Sequence, residues 1–378
     1  MAGFPGVPAT GRAWVEIDLD ALAHNAAELR SRLPHGCELM AVVKADAYGH
    51  GDAAVAGRLR DEGVSSFAVA TLSEGVRLRG VCPEGDILVL GYTCPEDAKF
   101  LSDFRLTQMV VDGAHARALN EAGVSLRVHA AVDTGMHRLG IDSSDLGEIE
   151  SVFKCENLVV CGVATHLAVS DSLDDDDVAF TMAQIDVFNS VVSALKGFGY
   201  DIGATHVQAS YGICNYPGLE CDFARAGIAL YGVLSHDEET RLSLDLRPVL
   251  SLRARIAQVR EIGAGEAVSY GRTFVAPKPM RLATVGVGYA DGVPRQMSGN
   301  GGACIVNGRR APIVGRICMD LLMIDVTGVD DAEQGGVATL IGCDGGEVIR
   351  CEDVAAASGT ITNDILCRLG SRLPRVIV

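Results

Sequence analysis

ELMAVV (38–43), SSFAVA (65–70), DILVLG (86–91), LTQMVV (106–111), LRVHAAVD (126–133), LVVCGVATH (158–166), THVQA (205–209) and ARAGIALYG (224–232) are eight short apolar runs between Glu38 and Gly232. Each reads as a buried strand, and stretches with helical spacing separate most of them. In DLDALAHNAAELRSRL, Leu19, Leu22, Ala26 and Leu29 share one face behind a cap at Asp18. DDDDVAFTMAQIDVFNSVVSAL has an acidic start that suits the positive end of a helix dipole. Alternating buried strands and helices imply a parallel sheet, and eight of them point to a (β/α)8 barrel rather than an open sheet.

After a polar connector around Ser235 to Asp245 the texture changes. SLRARIAQVREI, MRLATVGVGYA, ACIVNGRRAPIVG, LMIDVT and VATLIG are short β-like runs separated by Gly and Asn turns, with few helical periods. The expected class is α/β: a TIM-like barrel in residues 1–240 and a mostly β domain in residues 241–378. A length of 378 residues also suits two domains.

Composition narrows the functional classes. Apolar residues make up 48% and charged residues 21%, as in a folded globular chain. The net charge of -17 repels phosphate backbones, and no basic run offsets it, so nucleic acid is not an expected partner. The twelve cysteines are scattered, with no CxxC pair and no Cys/His cluster at metal spacing. That usage fits a reducing cytoplasm, and no metal is expected. MAGFPGVPATGRAW lacks the pattern of a signal peptide, and no apolar run approaches the ~18 residues of a membrane span. The chain therefore reads as soluble and cytoplasmic, unless it is part of a larger membrane protein.

In a barrel of this kind, chemistry sits at the C-terminal ends of the strands. Lys44 follows MAVV there, His166 follows GVAT, and Arg225 opens the last run. Half-burial of Lys44 would favour its neutral amine, the form that condenses with a carbonyl.

The segment AVVKADAYGHG (41–51) closely resembles the signature of alanine racemases, fold-type III enzymes in which this lysine holds pyridoxal phosphate. The resemblance extends over nearly the whole chain. It implies that Tyr48 contacts the cofactor phosphate, with Ser210, Gly227 and Ile228 offering further donors, as suits a phosphate dianion. DFARAGIALYG resembles the stretch whose arginine, here Arg225, faces the pyridine nitrogen. A guanidinium keeps its proton near neutrality, so that nitrogen would stay unprotonated and the ring a weaker electron sink.

Racemisation requires acid/base groups on both faces of the substrate Cα. By the resemblance these are Lys44 and Tyr270 of GEAVSYGRTF, the latter supplied by the second subunit of a homodimer with shared active sites. An isolated phenol, with pKa about 10, is a poor base at neutral pH, so neighbours must favour its phenolate. His166 and His206 match histidines that form that network with Arg225. Arg138, in DTGMHRLG, would approach the cofactor phenolic oxygen and the substrate carboxylate. By the same resemblance, Tyr289 of GYADG, and Cys318, Met319 and Asp320 of GRICMD, match positions that line the family's substrate site or its entrance.

Three departures stand out. Ala131 replaces a lysine, often carbamylated, found in many relatives. Ala209 replaces an Asn before the phosphate-binding Ser210, and this block with ATHLAVSDSLDDDD is similar to the serine racemase domains of vancomycin-resistance systems. Asn363, in TITNDILC, occupies the position of an active-site tyrosine, enlarging the pocket and adding a donor and an acceptor that a hydroxymethyl group can use. The expected substrates are therefore alanine and serine.

Other readings fit less well. A fold-type III decarboxylase would share barrel and lysine, but its cofactor-binding glycine loop and cysteine–aspartate pair have no counterpart here. A non-enzymatic pyridoxal-phosphate protein of the same barrel would lack the second domain. GVGYADG as a dinucleotide loop lacks the helix that must follow it.

Overall fold

The computed structural model describes residues 10–378, so the leader reading of the N-terminus lies, through residue 9, outside the described residues. Glu38–Val42, Ser66–Val69, Asp86–Val89, Thr107–Val110, Leu126–Asp133, Leu158–Ala164, Ala204–His206 and Phe223–Ala226 each pair in parallel with the next. Phe223–Ala226 then pairs with Glu38–Val42, closing the barrel. All eight apolar runs become its staves. Such strands are covered on both faces, which is why they read as continuous apolar runs rather than alternating ones.

The helix Leu19–Arg32 begins where the sequence put it, with the Asp18 carboxylate accepting from the Ala21 amide. Leu22, Ala26 and Leu29 are wholly buried. Each leucine removed from water in this way contributes about 1.5–3 kcal/mol.

The second unit is built on one long strand, Leu250–Ile262. It pairs with Val337–Asp344 along its first half and with Met280–Val285 along its second. Ala303–Val306 and Arg309–Pro312 form a hairpin at the edge, joined to Val337–Asp344. The β texture after the connector thus matches a mostly β fold. Two details differ from the sequence reading. Ala13–Ile17, inside the span assigned to the barrel, lies in this second sheet, antiparallel to Leu250–Ile262 and parallel to Arg375–Ile377. Two helices, Cys351–Ser358 and Thr362–Arg368, also follow the last long strand.

The helix Asp175–Gly197 is the one element among the described residues long and apolar enough by composition to cross a membrane, a feature that counting apolar runs passed over. It lies on the barrel through Thr181, Gln184, Ile185, Phe188, Val191 and Leu195.

A close approach joins the two units at the barrel mouth. Gly49 has φ +82°, and a Cβ there would lie 2.4 Å from the Leu366 carbonyl oxygen. Only glycine lets Thr362–Arg368 pack against the turn after Lys44. The Arg375 guanidinium clasps the same joint, donating to the carbonyls of Gly49, Leu369, Gly370 and Leu373.

Candidate active site

Lys44 stands just beyond the first barrel strand, and the chain then makes an unusual turn. Ala45, Asp46, Ala47 and Tyr48 all have φ between 52° and 54°, in the left-handed region. For residues with a Cβ this costs roughly 1–2 kcal/mol each, so the turn needs outside support. Glu74 provides it: one carboxylate oxygen accepts from Ala45 N at 2.8 Å, the other from Ala70 N at 2.7 Å and Thr71 N at 3.2 Å. Below the turn, Tyr48 and His50 both pack on the buried ring of Tyr231.

The strand ends surround a cavity of about 480 Å³ lined by Lys44, Tyr48, Arg138, His166, Ser210, Arg225, Gly227, Ile228 and Asn363. His206 lies beneath it, wholly buried. Burial, and then the charge of Arg138, lowers the Lys44 pKa, favouring the reactive neutral amine. Burial pushes the Tyr48 phenol up, so it stays a hydrogen-bond donor.

At one end the Ser210 hydroxyl accepts from the amides of Gly227 and Ala229 at 3.1 and 3.2 Å. Gly227 lies close against Tyr48, since a Cβ there would sit 2.7 Å from its hydroxyl and one of the two would have to shift. Two hydroxyls and close-packed backbone thus converge at a spot with no carboxylate among Tyr48, Ser210, Gly227 and Ile228. At the floor lies Arg225, buried without a carboxylate partner among the described residues. Its guanidinium donates to the carbonyls of Thr165, His206 and Val207, to His206 Nδ1 at 2.5 Å and to His166 Nδ1 at 3.2 Å. Desolvation brings its pKa down to about 10. Because a guanidinium only donates, the His166 proton must be on Nε2. Burial and the Arg225 charge drive the His166 pKa down to about 3, so the ring is neutral.

The remaining sequence candidates lie elsewhere on the chain. Tyr270 is 70% exposed, on a turn strained at Ser269 (φ 66°) and Arg272 (φ 52°). With Tyr289 it lines a separate open groove of about 620 Å³. Met319 is 53% exposed, Cys318 lies beside the Ser269 hydroxyl, and Asp320 is ion-paired with Arg372 at 2.6 Å. None of these lines the Lys44 cavity of its own chain. Ala131 does line it, as does Arg138, which makes no hydrogen bond to another described residue. Sequence reasoning missed Glu74 and His129; the T-x-x-E spacing of Thr71 and Glu74 was a readable signal, as a capping box.

Residues 17–235 match the family model for the alanine racemase N-terminal domain, and residues 249–377 match that for the alanine racemase C-terminal domain. The chain belongs to the alanine racemase family. An amino-acid racemase of Enterococcus faecalis is 42% identical over 96% of this chain, and a serine/alanine racemase of Enterococcus gallinarum 39% over 96%. The chain spans about half, 51%, of the length of each. An alanine racemase of Desulfosudis oleivorans is 39% identical over 96% of both chains. The fold matches the alanine racemase of Bacillus anthracis with bound L-Ala-P at TM-score 0.91, with 33% identity over 97% of this chain and 95% of that one. It also matches that of Bartonella henselae with covalently bound pyridoxal phosphate at TM-score 0.84, with 29% identity over 97% and 100% of the two chains. The family is pyridoxal-phosphate-dependent, and these likenesses favour a racemase over a decarboxylase.

Proposed function

We propose that this chain is a pyridoxal-phosphate-dependent racemase that interconverts the L and D forms of alanine and serine. The observation that carries the reading is the cavity itself, with a largely desolvated amine at its rim, hydroxyls at one end and, at its floor, a guanidinium with no carboxylate partner among the described residues. The cavity fits the cofactor: Tyr48, Ser210, Gly227 and Ile228 would hold its phosphate, Lys44 its carbonyl carbon and Arg225 its ring nitrogen. When bound, the cofactor withdraws electron density from the substrate Cα and so acidifies its proton.

The chain's own groups do the rest. Lys44 Nζ takes or returns the proton on one face of Cα. Tyr270 Oη does so on the other, delivered by a second copy of the chain, and His166 and His206 hold Arg225 beneath them. Exposure of Tyr270 on a strained turn, away from its own Lys44, supports a shared-site homodimer. Arg138 holds the substrate carboxylate, while Tyr289, Met319 and Asp320 line the entrance of the partner's site. The barrel, up to residue 240, acts as the cofactor-binding unit, and residues 241–378, joined in their sheet by Ala13–Ile17, act as the unit that supplies Tyr270. Twelve free cysteines support a reducing cytoplasmic setting.

The test is spectroscopic and chemical. The protein with pyridoxal phosphate should absorb in the visible range, and borohydride should fix the cofactor to Lys44. A colourless protein that gains no such absorbance refutes the reading.

A further inference from the structure

The proposed chemistry gives no role to His129, on the fifth barrel strand. Its ring is 6% exposed, and its Nδ1 lies 2.8 Å from His206 Nε2. The protons can be placed by elimination. Arg225 only donates, so His206 Nδ1 accepts; the His206 proton is then on Nε2, where it donates to His129 Nδ1. The line of donors runs one way, from the charged Arg225 to the neutral rings of His206 and His129. Burial holds His129 down to about 4 and His206 well below the ordinary histidine range.

The barrel gives up regular strand geometry to seat this ring. The register between Leu126–Asp133 and Leu158–Ala164 shifts between Val128 and His129: Cys161 of the second strand is left without a partner, and the irregularity brings Gly162 opposite His129. Facing it is Gly162, where a Cβ would meet His129 ring atoms at 2.7 to 2.8 Å. A bulge and a strand glycine both weaken a sheet, and an apolar residue would fill the space without either.

We propose that His129 is a positioning residue: as acceptor for His206 Nε2–H, it locks the tautomer whose Nδ1 holds Arg225 at the floor of the cavity. Its kinetic consequence rests on the racemase reading; its geometry does not. Without this acceptor the buried Nε2–H is left unpaired, a penalty that favours moving the proton to Nδ1 and displacing Arg225 from it.

The test uses the cofactor-loaded protein with ¹⁵N-labelled histidine. In the wild type, NMR should show His206 with Nε2 protonated and Nδ1 bare; a protonated Nδ1 overturns the proposal without any variant. His129→Leu removes the acceptor, whereas His129→Asn keeps an oxygen near the place of Nδ1. The Leu variant should show mixed His206 tautomers and a kcat lower by roughly tenfold, with KM within about twofold. The Asn variant should recover the wild-type tautomer and a kcat within about threefold. An unchanged tautomer in the Leu variant, or an Asn variant no better than Leu, overturns it. If the wild type does not racemise at all, the functional reading fails while the NMR result still decides the role of His129.

Discussion

The Asn363 amide is held by Ser235, whose hydroxyl donates to Oδ1 at 2.7 Å. That leaves Nδ2, with no hydrogen bond to another described residue, available to a substrate hydroxyl. An unmade buried hydrogen bond costs about 1–3 kcal/mol, and a phenol at this position would also crowd a hydroxymethyl group. Asn363→Tyr should therefore lower kcat/KM for serine by roughly ten- to hundredfold while sparing alanine, as paired rate measurements would show. An unchanged ratio would move attention to Ala209. At the phosphate end, Gly227→Ala would push a methyl against the Tyr48 hydroxyl and should weaken cofactor affinity by about tenfold or more in a fluorescence titration. Undiminished affinity would mean that the phosphate does not sit there.

The left-handed turn after Lys44 is the element on which the site depends, and Glu74 ties it to the neighbouring strand end. Glu74→Ala would leave the amides of Ala45 and Ala70 without their acceptor. It should cost about 1–3 kcal/mol and lower the Tm by several degrees, whereas an unchanged melt would show that the turn holds itself. The barrel strands were legible because burial on both faces leaves unbroken apolar runs, and the Asp18 cap because its signal is local. The turn was not legible, since of its four left-handed residues only Asp46 is of a type that visits φ above zero readily; packing on Tyr231 and the carboxylate of Glu74 support the rest. Ala13–Ile17 was missed as part of the second sheet because its partners lie more than 200 residues away in sequence. His129 was hidden inside a run read as a strand, and only its contact with His206 in space reveals where its ring points.

Across the whole molecule, stability should depend on pH through buried neutral histidines. Burial lowers His50 and His129 to about 4 and His166 to about 3, against about 6.5 in an unfolded chain. The unfolded state therefore binds protons that the folded state refuses. This stability is fully present above about pH 6.5 and is lost as pH falls from there through about 4 toward 3. Denaturant midpoints should thus decline between pH 7 and pH 5, and a flat profile would contradict the neutral assignments.

The same molecule-wide view separates Lys44, in the barrel cavity, from Tyr270, exposed on the second unit, so the proposed chemistry requires two chains. Lys44→Ala and Tyr270→Phe should each be nearly inactive. Refolded together in equal amounts, they should recover about a quarter of wild-type racemisation, because half the dimers would carry one intact site of two. Absence of activity in a sample where mixed dimers demonstrably form would contradict the shared-site account.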